Sequence, residues 1–276
     1  NNLGAVRIRI RSLITAMKMR REEAIHASPQ PVKFQRQEYT SQMQLEGYTI
    51  LAPQMSPIHF EILQPVFEKH GYHVVVLDND DRSAIDVGLK YVNNDACFPS
   101  ITVVGQIMEA VLSGKYDRDH LAIMMTQTGG CCRASNYVAF IRRALQKAGC
   151  GHIPVISVNA NGMEKNEGFR FTPGLLVDAV HAIVYGDLFM RCLYRVRPYE
   201  KRKGSADALH EKWKAICVDS LVNPKASLSY SQVCHGIVEA FDALPIHEDL
   251  RKPRVGIVGE ILVKYMPLAN NHLVEV

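Results

Sequence analysis

One stretch of the chain combines a short apolar run, a turn with two glycines and a helical pattern. Residues 121–125 are apolar and bounded by polar residues, which is typical of a buried parallel strand. Residues 137–145 carry apolar side chains at helical spacing and end near Gly149. Between the two lie Gly129 and Gly130, which allow the backbone to approach a ligand closely. The stretch therefore predicts a strand, a glycine turn and a helix, with the turn at the ligand-binding carboxyl edge of a parallel sheet.

The same alternation recurs along the chain between residues 48 and 158. Short apolar runs predict strands, and each is followed by a segment long enough for a helix. Such an order predicts a parallel sheet with helices on both faces and right-handed crossovers. We therefore expect a flavodoxin-like or Rossmann-like three-layer α/β fold. The predicted strands are residues 48–52, 73–77, 121–125 and 153–158.

Breaks in this pattern divide the chain into four predicted parts. Residues 1–46 form a basic connecting segment, and residues 47–170 form the parallel-sheet domain. Residues 171–246 form a helical subdomain, because no strand pattern interrupts their apolar periodicity. Residues 247–276 form a linker and the start of a second α/β unit, opened by a predicted strand at residues 254–258. We expect the chain to be part of a longer protein.

Three cysteines fall at turns that the predicted topology gathers on one sheet edge. Cys131 and Cys132 follow the paired glycines, and Cys97 precedes a predicted helix. A thiolate at a helix N-terminus is favoured by the helix dipole, which suits metal ligation or redox chemistry. The alternative is that these cysteines are small apolar side chains that fill a tight turn. The other cysteines are expected to be core or structural residues: Cys150, Cys192, Cys217 and Cys234.

Polar and basic residues near these turns leave further alternatives open. Arg133 could balance a thiolate or an anionic cluster, or pair with a carboxylate. The basic run between residues 191 and 203 could meet the phosphates of coenzyme A, or form a solvated helix end. Residues at the other strand exits could contact a ligand or simply form turns and caps; they are Gln54, Met55, His59, Asn159 and Asn161.

The composition restricts the cellular setting and the partners. Seven cysteines, an odd number, favour reduced thiols, a metal site or a cluster over a disulfide framework. No apolar run of about twenty residues is present. Residues 1–36 hold eight Lys and Arg against two Glu, but no nucleic-acid recognition motif accompanies them. We therefore expect a cytoplasmic protein with neither a membrane nor a nucleic-acid partner.

Four motifs resemble the (R)-2-hydroxyglutaryl-CoA dehydratase and activator family, in the region found in long fused activator-type proteins. They are Asn-Asp-Ala-Cys-Phe-Pro at residues 94–99, Thr-Gln-Thr-Gly-Gly-Cys-Cys-Arg-Ala-Ser-Asn-Tyr at 126–137, Pro-Val-Ile-Ser at 154–157 and Val-Gly-Glu-Ile at 258–261. The resemblance covers most of residues 48–276. Common zinc, P-loop and dinucleotide signatures are absent from the sequence.

The resemblance implies an iron–sulfur protein related to a lyase, the 2-hydroxyacyl-CoA dehydratase. In that family an ATPase activator injects one electron, and the dehydratase then eliminates water from a 2-hydroxyacyl-CoA through a radical. The resemblance makes Cys97 and Cys132 the expected ligands of a [4Fe–4S] cluster, with Cys131, Arg133, Gly129 and Gly130 beside it. It also implies an ATPase activator module in the same or another chain, an acyl-CoA and an oligomer as partners. This chain carries no ATPase module, so we expect no turnover by the chain alone.

Two other interpretations remain open from the sequence. The chain could be a cluster-free α/β module that binds an acyl-CoA or a protein partner, with its cysteines serving only packing. A zinc site at Cys97, Cys131 and Cys132 is the other alternative, because catalytic zinc uses three protein ligands.

Overall fold

A computed structural model of the chain describes residues 3–22, 36–79, 81–93, 95–127, 133–159 and 164–274. The chain divides into two compact units, Asn1–Arg36 and Gln37–Val276. The described part of the first unit is helix α1 (Leu3–Glu22), whose described side chains are exposed. The second unit contains the parallel sheet and the helices that cover it.

Four parallel strands form the central sheet of the second unit. They are β1 (Thr49–Ala52), β2 (Val74–Val76), β3 (Leu121–Thr126) and β4 (Val155–Val158), in the order β2-β1-β3-β4. The register places Leu51 opposite both Val75 and Ile123, and Ile123 opposite Val155. The predicted parallel α/β sheet is therefore confirmed. Its strand order matches the first four positions of the flavodoxin-like order.

The strands are buried on both faces, which explains why they appear in the sequence as nearly continuous apolar runs. Successive side chains point to opposite faces of the sheet. Leu51, Ile123 and Val155 belong to one core. Ile50, Ala122 and Ile156 belong to the other.

Five helices cover the first face: α4 (Arg82–Tyr91), α5 (Phe98–Leu112), α6 (Tyr137–Lys147), α10 (Ile261–Tyr265) and α11 (Pro267–Asn270). Helix α5 is buried along most of its length. It crosses α4 at two glycines, and a Cβ at Gly105 would lie 1.9 Å from the carbonyl oxygen of Ala84. The glycines therefore allow the backbones of α4 and α5 to touch.

Five further helices belong to the second unit: α2 (Ser41–Leu45), α3 (Pro57–Lys69), α7 (Pro173–Val196), α8 (Ser205–Val222) and α9 (Tyr230–Asp242). The predicted helical region corresponds to α7, α8 and α9. These helices pack with α3 on the second face, around the fully buried Tyr185 and Phe189. The second unit is therefore a three-layer α/β fold.

Helix α7 is apolar along much of its length. Among the described residues, Pro173–Tyr199 is one helical segment long and apolar enough to cross a membrane, and 28% of its apolar window is buried. Length and composition alone do not separate a membrane span from a core helix. One face of α7 packs in the second core through Leu175, Tyr185 and Phe189, among other residues.

The strand predicted at residues 254–258 is wrong. This segment has no regular secondary structure, and it pairs with no strand in the described part of the chain. Val255 and Val258 are 83% and 90% exposed. Valine and isoleucine favour strands only where a neighbouring strand and a packed face receive them. The following residues instead form α10 and α11, whose Leu262, Met266 and Leu268 pack in the first core.

Candidate functional site at the carboxyl edge of the sheet

The carboxyl edge of the sheet gathers the ends of the strands and the starts of several helices. Strand β3 ends at Thr126 and β4 at Val158, so the segments after both strands leave from this edge. Open parallel sheets bind ligands outside this edge, at the point where neighbouring connections run to opposite faces. Here α3, which follows β1, lies on the second face, and α6, which follows β3, lies on the first. The point at which the connections diverge is therefore between β1 and β3.

Cys97 occupies the N-cap of α5, where its carbonyl oxygen accepts hydrogen bonds from the Ser100 amide at 3.0 Å and the Ser100 hydroxyl at 2.7 Å. Helix α5 begins at Phe98, three residues before the start expected from the sequence, because Pro99 is tolerated in a first helical turn. The Cys97 thiol makes no capping bond, is partly exposed and is not in a disulfide. The backbone of Cys97 therefore starts the helix while its thiol remains available at the edge.

The thiol of Cys97 lies beside the first residue of α6. Its Sγ atom is 3.8 Å from the hydroxyl oxygen of the buried Tyr137. This contact joins the start of α5 to the start of α6. Cys97 therefore lies beside the helix that follows the other two predicted cysteines in the sequence.

The remaining predicted cofactor residues lie mostly outside the described part of the chain. Gly129, Gly130, Cys131 and Cys132 are outside the described residues, as is Asn161. Arg133 begins a 3₁₀ turn, Arg133–Asn136, that leads into α6. Within the described ranges, no group of three or more His, Cys, Asp or Glu side chains is placed to hold a metal ion. Of the predicted ligands, the structure thus places Cys97 alone.

The other cysteines lie away from this edge. Cys150 and Cys217 are buried, as expected for core residues, and Cys192 and Cys234 are partly buried against the second core. Burial raises the pKa of the Cys217 thiol to about 12. A thiol held in its neutral form is a poor metal ligand and nucleophile. Cys217 is therefore a packing residue.

A chain of hydrogen bonds holds the exits of β3 and β4 together. The Ser157 hydroxyl donates to Gln127 Oε1 at 2.6 Å, and the Asn159 amide donates to the Ser157 hydroxyl at 3.2 Å. The Gln127 amide in turn donates to the Ser135 carbonyl oxygen at 2.8 Å. Gln127 and Ser135 lie on either side of the glycine and cysteine segment. The network therefore fixes the distance between Gln127 and Ser135.

At the exit of β1, His59 is held by two side chains. Its Nδ1 atom lies 2.8 Å from the Ser56 hydroxyl, and its Nε2 atom lies 3.1 Å from Asp187 Oδ1 on α7. Gln54 is used locally, since its Oε1 atom accepts from the Ser56 amide at 3.2 Å. His59 and Gln54 are predicted at this edge from the sequence, but the contacts of Ser56 and Asp187 with the imidazole are not. The sequence carries no local signal for these contacts, because Gly186 beside Asp187 becomes informative only once the faces of α7 are known.

A cavity of about 240 Å³ opens beside the exit of β1. Its walls come from the start of α3, the end of α7, helix α8 and the C-terminal segment. The residues that line it include Ser56, Ile58, Arg197, His210 and Lys264. Both sheet faces contribute, because α7 and α8 cover one and the C-terminal helices cover the other.

Charges around this cavity are largely paired. Arg197 binds Asp207 at 2.8 Å, and Lys214 binds Glu61 at 2.6 Å and Glu211 at 2.7 Å. Burial lowers the pKa of His210, which is 7% exposed, so its imidazole is neutral at pH 7. Lys264 lines the cavity and forms no ion pair with the residues that the structure describes.

The basic run of residues 191–203, which covers the last turns of α7 and the segment after it, is solvated for the most part. Arg191, Arg195, Lys201, Arg202 and Lys203 are exposed. The partly buried exception is Arg197, which turns toward the cavity and its partner Asp207.

No family model, no curated protein and no solved structure matches this chain. Two features of that edge are open to chemistry: the Cys97 thiol beside α6, and the cavity beside the exit of β1.

Proposed function

We propose that this chain is an iron–sulfur-cluster-binding component related to 2-hydroxyacyl-CoA dehydratases and their activators. In this proposal it takes part in ATP-driven electron transfer for the radical dehydration of a 2-hydroxyacyl-CoA. The electron comes from an ATPase activator module in the same or another chain. The proposal unites the four sequence motifs with a parallel sheet of the expected class.

The observation that carries the proposal is the 3.8 Å contact between Cys97 Sγ and the Tyr137 hydroxyl. It puts the first candidate ligand at the start of the helix that follows Cys131 and Cys132 in the sequence. A cluster needs thiolates that approach from separate segments, which two neighbouring helix starts on one sheet edge provide.

The donor chemistry of the described residue fits a cluster ligand. Iron–sulfur clusters are held by cysteine thiolates. The Cys97 thiol is partly exposed, is not in a disulfide and makes no capping bond. Cys97 and Cys132 would hold the cluster, which when bound would accept and release one electron. Arg133, next to Cys132 in the sequence, would offset the negative charge of the thiolates.

The remaining residues would shape and shield the site. Pro99 and Ser100 of α5 and the first residue of α6, Tyr137, are buried and would exclude water on one side. The hydrogen bonds between Gln127, Ser157 and Asn159 would hold the exits of β3 and β4 together beside it. Since clusters of this kind take four ligands, Cys97, Cys131 and Cys132 leave at least one for substrate or another chain.

Cysteine variants test the ligand assignment. After anaerobic reconstitution, we expect Cys97→Ala and Cys132→Ala to lose most of the bound iron. Cys234→Ala is the matched control, because Cys234 is also partly buried but lies on α9 in the second core. Full iron content in both variants would show that the ligands are wrongly assigned.

A cluster-free binding module is the second candidate function. The cavity of about 240 Å³ favours it, since none of the described residues that line the cavity is a cysteine. In this case the chain would bind an acyl-CoA or a protein partner. Titration calorimetry of metal-free protein with a short acyl-CoA tests this alternative. Binding that is lost in Lys264→Ala, together with failed iron uptake, would favour it over the cluster.

A further inference from the structure

Two side chains at the start of α3 and one from α7 form a continuous hydrogen-bonded chain at the exit of β1. The Ser56 hydroxyl lies 2.8 Å from His59 Nδ1, and His59 Nε2 lies 3.1 Å from Asp187 Oδ1. Both distances are within the range of hydrogen bonds between a nucleophile, a base and an orienting group. An ionised carboxylate can only accept, so in the neutral imidazole Nε2 carries the proton and Nδ1 accepts from the serine.

The neighbouring helix is shaped to receive the imidazole. A Cβ at Gly186 would lie 2.3 Å from His59 Cδ2, so any larger residue at this position would displace the imidazole ring. The next residue of α7, Asp187, supplies the carboxylate. The ring is only 13% exposed, whereas the Asp187 side chain is 69% exposed. Glycine and aspartate thus fix both the position of the ring and its tautomer.

Ser56 does not behave as an ordinary helix cap. It occupies the N-cap of α3, yet its side chain makes no bond to the helix backbone. Capping serines usually accept from an amide of the first turn. Here the hydroxyl is directed to His59 instead, which leaves the first-turn amides of α3 without the usual side-chain acceptor.

The serine also borders the cavity beside the exit of β1. Ser56, Pro57 and Ile58 line the cavity of about 240 Å³. The amide of Ile58 is at the second helical position, where no helical carbonyl accepts from it. An amide of this kind beside a serine is a donor for the oxygen that becomes negative during attack on a carbonyl.

We propose that Ser56 is the nucleophile of an acyl-transfer site for a small carboxylic ester or thioester, with His59 as general base and Asp187 as positioning residue. Ser56 Oγ attacks the acyl carbon and gives its proton to His59 Nδ1. The bond to the alcohol or thiol breaks, and His59 returns the proton to that leaving group. Water then attacks the acyl carbon and gives a proton to His59 Nδ1. The bond between the acyl carbon and Ser56 Oγ breaks, and His59 returns the proton to Ser56 Oγ, which releases the acid and restores the free serine. Because Ser56 and Cys97 lie at different helix starts, this site does not depend on the cluster.

A fluorophosphonate probe tests the nucleophile directly. We expect covalent labelling that peptide mass spectrometry assigns to Ser56 and that Ser56→Ala abolishes. His59→Gln keeps a planar polar side chain but removes the base, and should slow labelling by about 100-fold or more. With p-nitrophenyl acetate, the wild type should release nitrophenol in a burst equivalent to one per chain.

Asp187→Asn tests the positioning role in a variant that is expected to fold, since Asp187 is largely exposed. The maximal rate of labelling should fall about tenfold or more, while the concentration of probe for half-maximal rate stays unchanged. A purely structural role would not change the rate in this way.

Ser231→Ala is the matched control. The Ser231 hydroxyl lies 3.5 Å from His235 Nδ1, but His235 has no carboxylate partner among the described residues. Its labelling should equal that of the wild type. Absence of label at Ser56, under conditions that label a known serine hydrolase, would overturn the proposal. Equal labelling rates in the wild type and His59→Gln would overturn it as well, whether or not the cysteine variants retain iron.

Discussion

Arg142 and Glu164 form a two-bond ion pair, with Nη1 2.7 Å from Oε1 and Nη2 2.6 Å from Oε2. Arg142 Nη2 also donates to the Val155 carbonyl oxygen at 3.0 Å. The pair thus joins α6, β4 and the segment that leads to α7. Because α6 starts at the carboxyl edge of the sheet, this pair helps to hold α6 in position beside the candidate site.

Glu164→Gln should destabilise the protein by about 2–3 kcal/mol, somewhat less than the cost of breaking a fully buried pair. The reason is that a partly buried guanidinium, 12% exposed, loses its counter-charge. Urea unfolding of the second unit measures the effect. Arg143→Ala, which removes the exposed neighbouring arginine, should change the free energy of unfolding by no more than about 0.5 kcal/mol. Equal effects of the two substitutions would contradict the role of the pair.

Gly105→Ala should destabilise the protein by about 2–3 kcal/mol, because the new methyl group would force α4 and α5 apart. The same is expected for Gly88→Ala, whose Cβ would lie 2.1 Å from the Ile101 carbonyl oxygen. Gly151→Ala is the control, since its Cβ would meet Gln146 Cγ at an ordinary 3.4 Å. Thermal unfolding compares the three. A neutral Gly105→Ala would show that the helices do not cross this closely.

Stability should depend on pH through Asp178. Burial disfavours its charged form, but hydrogen bonds from Lys69 at 2.6 Å and His70 at 2.9 Å outweigh burial and lower the pKa of this carboxyl. A lowered acid pKa stabilises the fold above the pKa of the unfolded chain, and the gain disappears as pH falls through the folded value.

Asp178→Asn should therefore cost about 1–3 kcal/mol near pH 6, the usual value of hydrogen bonds to a charged group. The difference from the wild type should shrink as pH falls below the ordinary value of 3.8. Denaturant unfolding between pH 3 and pH 7 measures it. The exposed Asp249→Asn is the control and should leave the profile unchanged. A difference that persists undiminished at the lowest pH would contradict the assignment.

Ser157→Ala should weaken the link between the exits of β3 and β4. The substitution removes the donor to Gln127 Oε1 and an acceptor of the Asn159 amide, at a cost of about 1–2 kcal/mol. If the cluster proposal holds, reconstituted iron should also dissociate faster than in the wild type. The exposed Ser227→Ala is the control. Unchanged stability and unchanged iron release would show that the network does not hold the two strand exits together.

The sheet could be predicted from the sequence because its strands are buried on both faces. Residues 121–125, for example, are all apolar, so their pattern differs from that of an amphipathic helix, in which polar and apolar residues alternate at helical spacing. The exposed segment at residues 254–258 was predicted wrongly for a complementary reason. Its valines favour a strand, but whether a partner strand is available depends on tertiary structure, which a local pattern does not contain.

The candidate site was predictable only where it depends on local sequence. The position of Cys97 at a helix start follows from the Phe-Pro pair after it. The contact between His59 and Asp187 spans 128 residues and depends on how α7 packs against α3. Neither residue alone indicates the other. Gly186 becomes informative only once the helix faces are known.

The most direct test of the central proposal is the iron and acid-labile sulfide content of the wild-type chain after anaerobic reconstitution, with an absorption spectrum. The proposal predicts iron and sulfide in near-equal amounts and broad charge-transfer absorption in the visible region. A folded protein that takes up neither iron nor sulfide, with or without the ATPase activator present, would contradict it.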